Sequence, residues 1–219
     1  MNWPAHREAL RRWGLRRFLY GLLMGRLQRH GLRLFFIFRR SHHGVATTHQ
    51  AGDQIEMRIV EWDELFRYAD DPAMELDGAF LRDAKARGDI CVGAFDEGRL
   101  VAYIWRAFQP LPAADGFWVR FDPPNRYGYN AFTLPSHRGK HLQGALAPAT
   151  DPLLTERGYT HAIGYIESHN FASIRSALRQ DNVRIGYAGS ISLMGRRRTF
   201  SSKGARQQGF FFFDPGASE

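Results

Sequence analysis

The 219-residue sequence contains a single cysteine, Cys91. One cysteine cannot form an intramolecular disulfide bond, which excludes a small secreted scaffold held together by disulfides. No N-terminal segment combines an uninterrupted apolar core with a small-residue cleavage site, the pattern of a secretory signal. We therefore predict a protein of a reducing, cytoplasmic compartment. Cys91 falls in a predicted core strand without a His/Asp arrangement, so we do not expect a thiol nucleophile.

Long apolar runs are also lacking. The longest one in the N-terminal region extends from Phe18 to Gly25, which is far too short to span a bilayer. The hydrophobic content of 44% and the aromatic content of 14% nevertheless exclude a disordered chain. We predict a basic N-terminal extension with a polar linker over residues 1–54, one globular domain over residues 55–213, and a tail over residues 214–219.

Acidic residues are scarce at both ends of the sequence. Residues 1–40 carry ten arginines and one acid, and residues 182–213 carry six basic residues and no acid. Residues 41–181 have a net charge of −5, so the overall charge of +8 arises from the two ends. Only these ends favour binding to a polyanion such as nucleic acid or an anionic membrane.

The N-terminal segment allows two interpretations. Its arginines spread around much of a helical wheel and its glycines weaken a helix, which favours helices packed on the core with arginine side chains reaching outward. Attachment to the surface of an anionic membrane is the alternative. Residues 33–40 predict a strand, because they are rich in Phe and Ile. Residues 41–53 are polar, and we predict that they form a linker. Their adjacent histidines lack the carboxylate or cysteine partners of a metal site, so we predict no metal site there. We predict no metal site at His137 and His141 either.

The rest of the sequence predicts an alternation of strands and helices. The predicted elements are a strand from Ile55, a helix over 63–85 capped by Asp63, a hairpin of strands 90–95 and 100–108 that turns at Gly98, a short strand 117–121, a strand 127–134, a helix 142–157 ended by Gly158, a strand 160–166, a helix 170–179, and strands 185–194 and 209–213.

The segment from Asn130 to Leu146 reads NAFTLPSHRGKHLQGAL. It predicts an apolar strand, a proline, a basic turn that contains glycine, and the beginning of a helix. Such a turn directs several backbone N–H groups and a helix N-terminus toward one place, which suits a phosphate or pyrophosphate.

Together, this order of elements and the PSHRGKHLQGAL motif resemble the GNAT superfamily of acyl-CoA-dependent N-acyltransferases. The resemblance covers about residues 56–213, and the motif is similar to the family's coenzyme A motif, Arg/Gln-x-x-Gly-x-Gly/Ala. Pro135, Arg138, Gly139 and Lys140 match it. His141 and Gln143 stand where the family usually has small residues, and their side chains could crowd a pyrophosphate. A second similar piece begins with Asn170 and includes Ser173.

The resemblance implies an α+β fold, in which a mixed, twisted sheet with splayed central strands is flanked by helices. The pantetheine arm of acetyl-CoA, or of another acyl-CoA, would enter between the strands that contain Asn130 and Thr160. Main-chain groups of one strand would pair with pantetheine amides, the turn would hold the pyrophosphate, and two residues of the second piece would lie near the cofactor. The implied cofactor-binding residues are Phe132, Thr133, Leu134, Arg138, Gly139, Lys140, His141, Leu142, Gln143, Gly144, Asn170 and Ser173. An equal interpretation of Asn170 is the N-cap of the following helix.

The reaction implied by the resemblance is direct attack of a neutral amine on the thioester, through a ternary complex. A base must take the ammonium proton, and we rank Glu167 first for this role, with His169 close by. The family often uses a tyrosine about seven residues after the asparagine as the acid, but this position is Ala177. Tyr165 and Tyr187 are the candidate replacements.

Three classes of function remain. The first is acetyl transfer to an amine of a sugar, amino acid, peptide or small metabolite. The second is a GNAT-like module that binds coenzyme A with little catalysis, which His141, Gln143 and Ala177 suggest. The third is a nucleic-acid or anionic-membrane binder that uses the basic ends. Nucleic acid is the less expected partner, and a peripheral membrane contact would use residues 1–40.

Overall fold

The computed structural model describes residues 10–42, 55–69, 71–113, 116–193 and 196–216. Most of the predicted linker, including His43 and His49, lies outside these residues. The helices are α1 Leu15–Arg29, α2 Trp62–Arg67, α3 Gly78–Arg87, α4 Leu142–Ala149, α5 Asp151–Glu156, α6 Phe171–Arg179 and α7 Lys203–Gln207. The strands are β1 Leu32–Ser41, β2 Ile55–Ile59, β3 Ile90–Asp96, β4 Arg99–Ala107, β5 Leu111–Pro112, β6 Trp118–Phe121, β7 Asn125–Thr133, β8 His161–Glu167, β9 Val183–Leu193, β10 Arg196–Ser201 and β11 Phe210–Phe213.

The chain divides into two compact units, each built from segments that are distant in sequence. The first comprises residues 1–39, 112–120 and 165–219, and the second comprises residues 40–111 and 121–164. The linear domain boundaries at residues 54 and 213 stay a prediction.

In the second unit, strands pair in the order β8-β7-β4-β3-β2. β2, β3, β4 and β7 are antiparallel to their neighbours, whereas β7 and β8 are parallel. This sheet is therefore mixed, and the prediction of an α+β fold with a mixed sheet is confirmed. The predicted β3–β4 hairpin is confirmed as well. Its turn contains Glu97 and Gly98, both with positive φ, as tight hairpin turns require.

The hydrophobic core of this unit lies where helices cover the sheet. Trp105 of β4 is fully buried, with the rings of Trp62 and Phe80 against it. Leu65 of α2 and Leu81 of α3 are buried in the same cluster. Because β3 and β4 are buried along almost their whole length, they are the central part of the sheet.

Two helices that the sequence predicts as continuous are interrupted. The prediction of one helix over 63–85 is wrong, because α2 ends at Arg67 and Asp71 accepts a hydrogen bond from the N–H of Ala73 in a turn that contains Pro72. α3 then begins at a new cap, Asp77, whose side chain accepts from the N–H of Phe80. Glu61 rather than Asp63 precedes α2 at the N-cap.

The prediction of one helix over 142–157 is wrong for a similar reason. The helical conformation is interrupted at Thr150, between α4 and α5. Pro148 and Pro152 flank this break, and a proline cannot donate the backbone hydrogen bond that would continue a helix.

In the first unit, β1, β9 and β10 form an antiparallel arrangement, and β11 lies beside β6. The predicted strand over 33–40 is confirmed as β1, which pairs along its length with β9. The sequence did not predict β10, because Arg196, Arg197 and Arg198 at its start lack the β-branched and aromatic character of a strand. Phenylalanine rings of β1 and β11 and the ring of Phe117, which precedes β6, pack together in this unit, and the ring centroids of Phe35 and Phe212 are 5.4 Å apart.

Candidate functional site

The segment that follows β7 forms a tight, open turn. Pro135–His137 make one 3-10 turn, and α4 begins at Leu142. Between them Gly139 has φ 85° and His141 has φ 57°. Side chains rarely adopt such angles, so the glycine is required by the turn, whereas His141 holds a left-handed conformation that is uncommon outside glycine.

This turn presents a group of backbone donors. Within the described part of the chain, four N–H groups of the turn and of the first helical residues have no hydrogen-bond acceptor: Gly139, His141, Leu142 and Gln143. They border a depression of about 190 Å³, which Thr133, His137 and Arg138 also line. A Cβ atom added to Gly139 or Gly144 would meet nothing within 4 Å, so the space over the turn is open. Free N–H groups at a helix N-terminus are suited to bind an anion.

Gln143 is directed toward the strands rather than across the turn. Its Nε2 lies 2.6 Å from the carbonyl oxygen of Phe132, 3.1 Å from that of Tyr103 and 3.0 Å from Oγ1 of Thr133. The amide therefore joins the first turn of α4 to β4 and β7. From the sequence, Gln143 is recognisable only as a departure from a small-residue motif. That Gln143 connects the helix to the sheet is evident only from the tertiary structure.

β7 changes its pairing just before the turn. Its register with β4 shifts near Asn130, which has φ 44°, so the strand carries a bulge. Its parallel pairs with β8 run only from Asn125 to Tyr127. Among the described residues, the last part of β7 is therefore paired on one side only.

Of the three strand residues that the sequence predicts to bind pantetheine, Thr133 is the one with accessible main-chain groups. The N–H of Leu134 donates to the carbonyl of Val101, and the carbonyl of Phe132 accepts from Gln143. In an antiparallel pair the backbone groups of successive residues point alternately toward and away from the partner strand, and those of Leu134 point toward β4, so the N–H and carbonyl of Thr133 point away from it. Among the described residues, the Thr133 carbonyl receives a single long contact, at 3.4 Å, from Nε of Arg138.

Charged side chains surround the turn. Nε2 of His137 lies 2.9 Å from Oδ2 of Asp96, and Nζ of Lys140 lies 3.8 Å from the same oxygen. His137 also contacts the hydroxyl of Ser136 through Nδ1, at 2.9 Å. The two contacts with Asp96 connect the turn to the end of β3. Arg138 is the basic side chain of the turn that has no acidic partner among the described residues.

The candidate base Glu167 is held by residues of the N-terminal segment. Its Oε1 accepts from Nε2 of Gln28 at 3.1 Å and from Nη1 of Arg33 at 3.3 Å. Its Oε2 lies 3.7 Å from Nε2 of His169. A small cavity of about 10 Å³ adjoins this group, with Met24 in its wall. The structure therefore places Glu167 beside His169 and gives it two further partners, Gln28 and Arg33, which the sequence alone does not reveal.

The two candidate acids have different surroundings. The ring of Tyr165 packs 5.0 Å from that of Phe35 and 5.1 Å from that of Phe212, in the aromatic core of the first unit. Tyr187 is half exposed on β9, and its backbone N–H donates to the hydroxyl of Ser202. Their role as acids stays a prediction.

Asn170 is the N-cap of α6. Its Oδ1 accepts from the N–H of Ser173 at 3.1 Å, as the capping interpretation expects. The cap satisfies one of the N–H groups at the start of α6. Contact of Asn170 or Ser173 with a cofactor stays a prediction.

A buried ionic group supports the break between α4 and α5. Asp151 binds Nη2 of Arg40 at 2.6 Å and Nη2 of Arg126 at 2.7 Å. His42 lies beside them, and its Nε2 accepts from Nε of Arg126 at 3.1 Å. Burial, followed by the nearby positive charge of Arg126, lowers the pKa of His42 to about 4. The neutral imidazole is therefore part of the folded structure at neutral pH.

No protein-family model and no curated protein matches this sequence. The chain is similar to the solved structure of a Drosophila protein, with 18% identity and a TM-score of 0.51 over 81% of this chain and 58% of that one. It is also similar to a GCN5-related N-acetyltransferase from Kribbella flavida, with 16% identity and a TM-score of 0.43 over 87% of this chain and 63% of that one. The chain thus spans less than two thirds of the length of either protein.

A third similar structure is AAC(6')-Iy in complex with the bisubstrate analogue CoA-S-monomethyl-acetylneamine. Identity is 17% and the TM-score is 0.43, over 57% of this chain and 88% of that one. The chain's own elements, with a strand, turn and helix at β7 and α4 followed by the parallel strand β8, stand in the order that the sequence predicted.

Proposed function

We propose that this protein is an acyl-CoA-dependent N-acyltransferase, which transfers an acetyl group from acetyl-CoA to a primary amine. The observation that carries the proposal is the turn between β7 and α4. It presents N–H groups without acceptors within the described part of the chain, at the end of a strand that is paired on one side only. A pyrophosphate joined to an extended amide-containing arm matches both features.

The residues around the turn fit coenzyme A. The N–H groups of Gly139 and His141 and the N-terminus of α4 would hold the pyrophosphate, with Arg138 adding positive charge. The main chain of Thr133 would pair with a pantetheine amide. Gln143 would not obstruct the pyrophosphate, because its amide is bonded to the strands.

In the proposed reaction a neutral amine attacks the thioester carbonyl carbon. A nitrogen–carbon bond forms, the carbon–sulfur bond breaks, and the thiolate of coenzyme A leaves. Glu167 takes the proton that the attacking nitrogen loses, with His169 as its neighbour. The acid that protonates the thiolate would be Tyr165 or Tyr187. Gln28 and Arg33 would orient the Glu167 carboxylate by holding Oε1.

A second candidate function is a coenzyme A binding module with little turnover. Two observations favour it. The tyrosine that GNAT enzymes often use as the acid is replaced by Ala177, and the packing of Tyr165 holds its ring in an aromatic core.

The experiment that separates these candidates is release of free thiol from acetyl-CoA, measured with a panel of amines. Because AAC(6')-Iy is described with an acetylneamine analogue, the panel includes aminoglycosides beside amino sugars, amino acids and peptide N-termini. Amine-dependent thiol release supports the transferase. Binding of acetyl-CoA without release for any amine supports the module and contradicts the proposed reaction.

A further inference from the structure

Helix α1 carries a row of leucines on its outer side. Leu15, Leu19, Leu22 and Leu23 are each 43–60% exposed. Their spacing of four, seven and eight residues from the first places them on one side of the helix. Exposed leucines scattered singly are ordinary, but four on one face form a contiguous apolar surface.

The opposite side of α1 is the one that packs, and it mixes apolar side chains with Gln28. Met24 is buried, Phe18 and Leu27 are partly buried, and the ring of Tyr20 lies 6.2 Å from that of Phe171 in α6. Within the described residues, only the inner side of α1 is covered.

The charges around the leucines have one sign. Arg16, Arg26 and Arg29 are exposed, and on a helical wheel they fall within about 80° of Leu19. The sequence contains no Asp or Glu from residue 9 to residue 52. The outer surface of α1 therefore combines leucines with arginines and has no negative charge of its own.

We propose that this surface, formed by the outer leucines and flanking arginines of α1, docks on a bilayer that contains anionic lipid. The leucines would enter the boundary between headgroups and acyl chains, and the guanidinium groups would bind lipid phosphates. A nucleic acid would satisfy the arginines but would leave the leucines without an apolar partner. Helix α1 has 15 residues, and none of the helices in the described ranges combines the length and apolar character needed to cross a membrane, so α1 would lie in the plane of the interface.

The test is co-sedimentation of the full chain with phosphatidylcholine vesicles, with and without phosphatidylglycerol. We expect binding that requires phosphatidylglycerol and weakens with salt. The combined substitution Leu19→Ser, Leu22→Ser and Leu23→Ser should lower the vesicle affinity by about tenfold or more, because partial burial of three leucines is lost. The matched control is Leu178→Ser, which changes a leucine that is 55% exposed on α6 and should leave binding unchanged.

A second variant keeps the test independent of the leucines. The combined substitution Arg16→Glu and Arg26→Glu should weaken vesicle binding most strongly at low salt. Vesicle binding that survives the triple leucine substitution overturns the proposal. The proposal is also overturned if the protein does not bind vesicles but binds duplex DNA, and the leucine substitutions leave the DNA binding intact. Because the readout is sedimentation, the result does not depend on acyl transfer.

Discussion

Gln143 Nε2 lies 2.6 Å from the carbonyl oxygen of Phe132, so a side chain from the first turn of α4 caps a carbonyl of β7. This contact fixes the helix that presents N–H groups relative to the strand that leads into the turn. Gln143 occupies a position at which the GNAT coenzyme A motif usually has a small residue. Gln143 therefore links the turn to the strands and leaves the space over the turn open.

Replacing Gln143 should weaken the fold and the turn together. In Gln143→Ala the carbonyls of Phe132 and Tyr103 lose a buried donor, which costs about 1–3 kcal/mol of the free energy of unfolding. Urea denaturation measures the loss. Gln180→Ala is the control, because Gln180 is exposed and its side chain makes a long contact, of 3.4 Å, with the hydroxyl of Ser176. Equal stability of the two variants would show that the Gln143 contact contributes nothing.

Gly139 and Gly144 should respond in opposite directions to substitution by alanine. Both have open space for a methyl group, but Gly139 has φ 85° whereas Gly144 lies within α4. Gly139→Ala should destabilise the protein by about 1–2 kcal/mol through backbone strain. Gly144→Ala should stabilise it by about 0.5–1 kcal/mol through helix propensity. Thermal unfolding of the two variants decides this, and a tolerated Gly139→Ala would contradict the geometry of the turn.

His42 should make the stability of the protein depend on pH. Since its pKa is lowered to about 4 in the folded protein and is about 6.5 in the unfolded chain, the unfolded state binds more protons between these values. The resulting stabilisation is present above pH 6.5 and is lost as the pH falls toward 4, by up to about 3 kcal/mol.

The variant His42→Gln isolates this effect. It should flatten the decline of the unfolding free energy between pH 6.5 and pH 4. The control is His141→Gln, at an exposed histidine, which should retain the slope of the unmodified protein. Parallel slopes for His42→Gln and the unmodified protein would exclude His42 as the source.

Glu167→Gln should lower kcat for amine acetylation by about 10²-fold or more, because a positioned base contributes this much. The KM for acetyl-CoA should change little. Glu156→Gln, at an exposed carboxylate of α5, is the control. A Glu167→Gln enzyme with unchanged kcat would remove Glu167 from the proposed reaction.

Local patterns in the sequence were sufficient for several elements of the fold. The β3–β4 hairpin follows from its turn residues, and β7, the turn and α4 follow from a strand pattern, a proline and a basic glycine turn. The cap at Asn170 is likewise a contact over three residues. Such features depend on neighbours in the chain, so the sequence can reveal them.

The remaining features depend on contacts between residues that are far apart in sequence. Gln28 and Arg33 reach Glu167 across 139 and 134 residues, and no periodicity or motif marks such a pair. The break between α2 and α3 depends on Asp77 starting a new helix, which competes with an otherwise continuous helical pattern. β10 was missed because pairing with β9, rather than the composition of its three arginines, makes it a strand.

The most direct measurement of the central claim is the affinity for coenzyme A, determined by isothermal titration calorimetry. The unmodified protein should bind coenzyme A, and Arg138→Glu should weaken binding by about tenfold or more, since a carboxylate would replace a guanidinium beside the pyrophosphate. The matched control Arg157→Glu, at an exposed arginine that follows α5, should bind as the unmodified protein does. Coenzyme A binding that is absent, or that is equal in Arg138→Glu and Arg157→Glu, would contradict the assignment of the turn as the coenzyme A site.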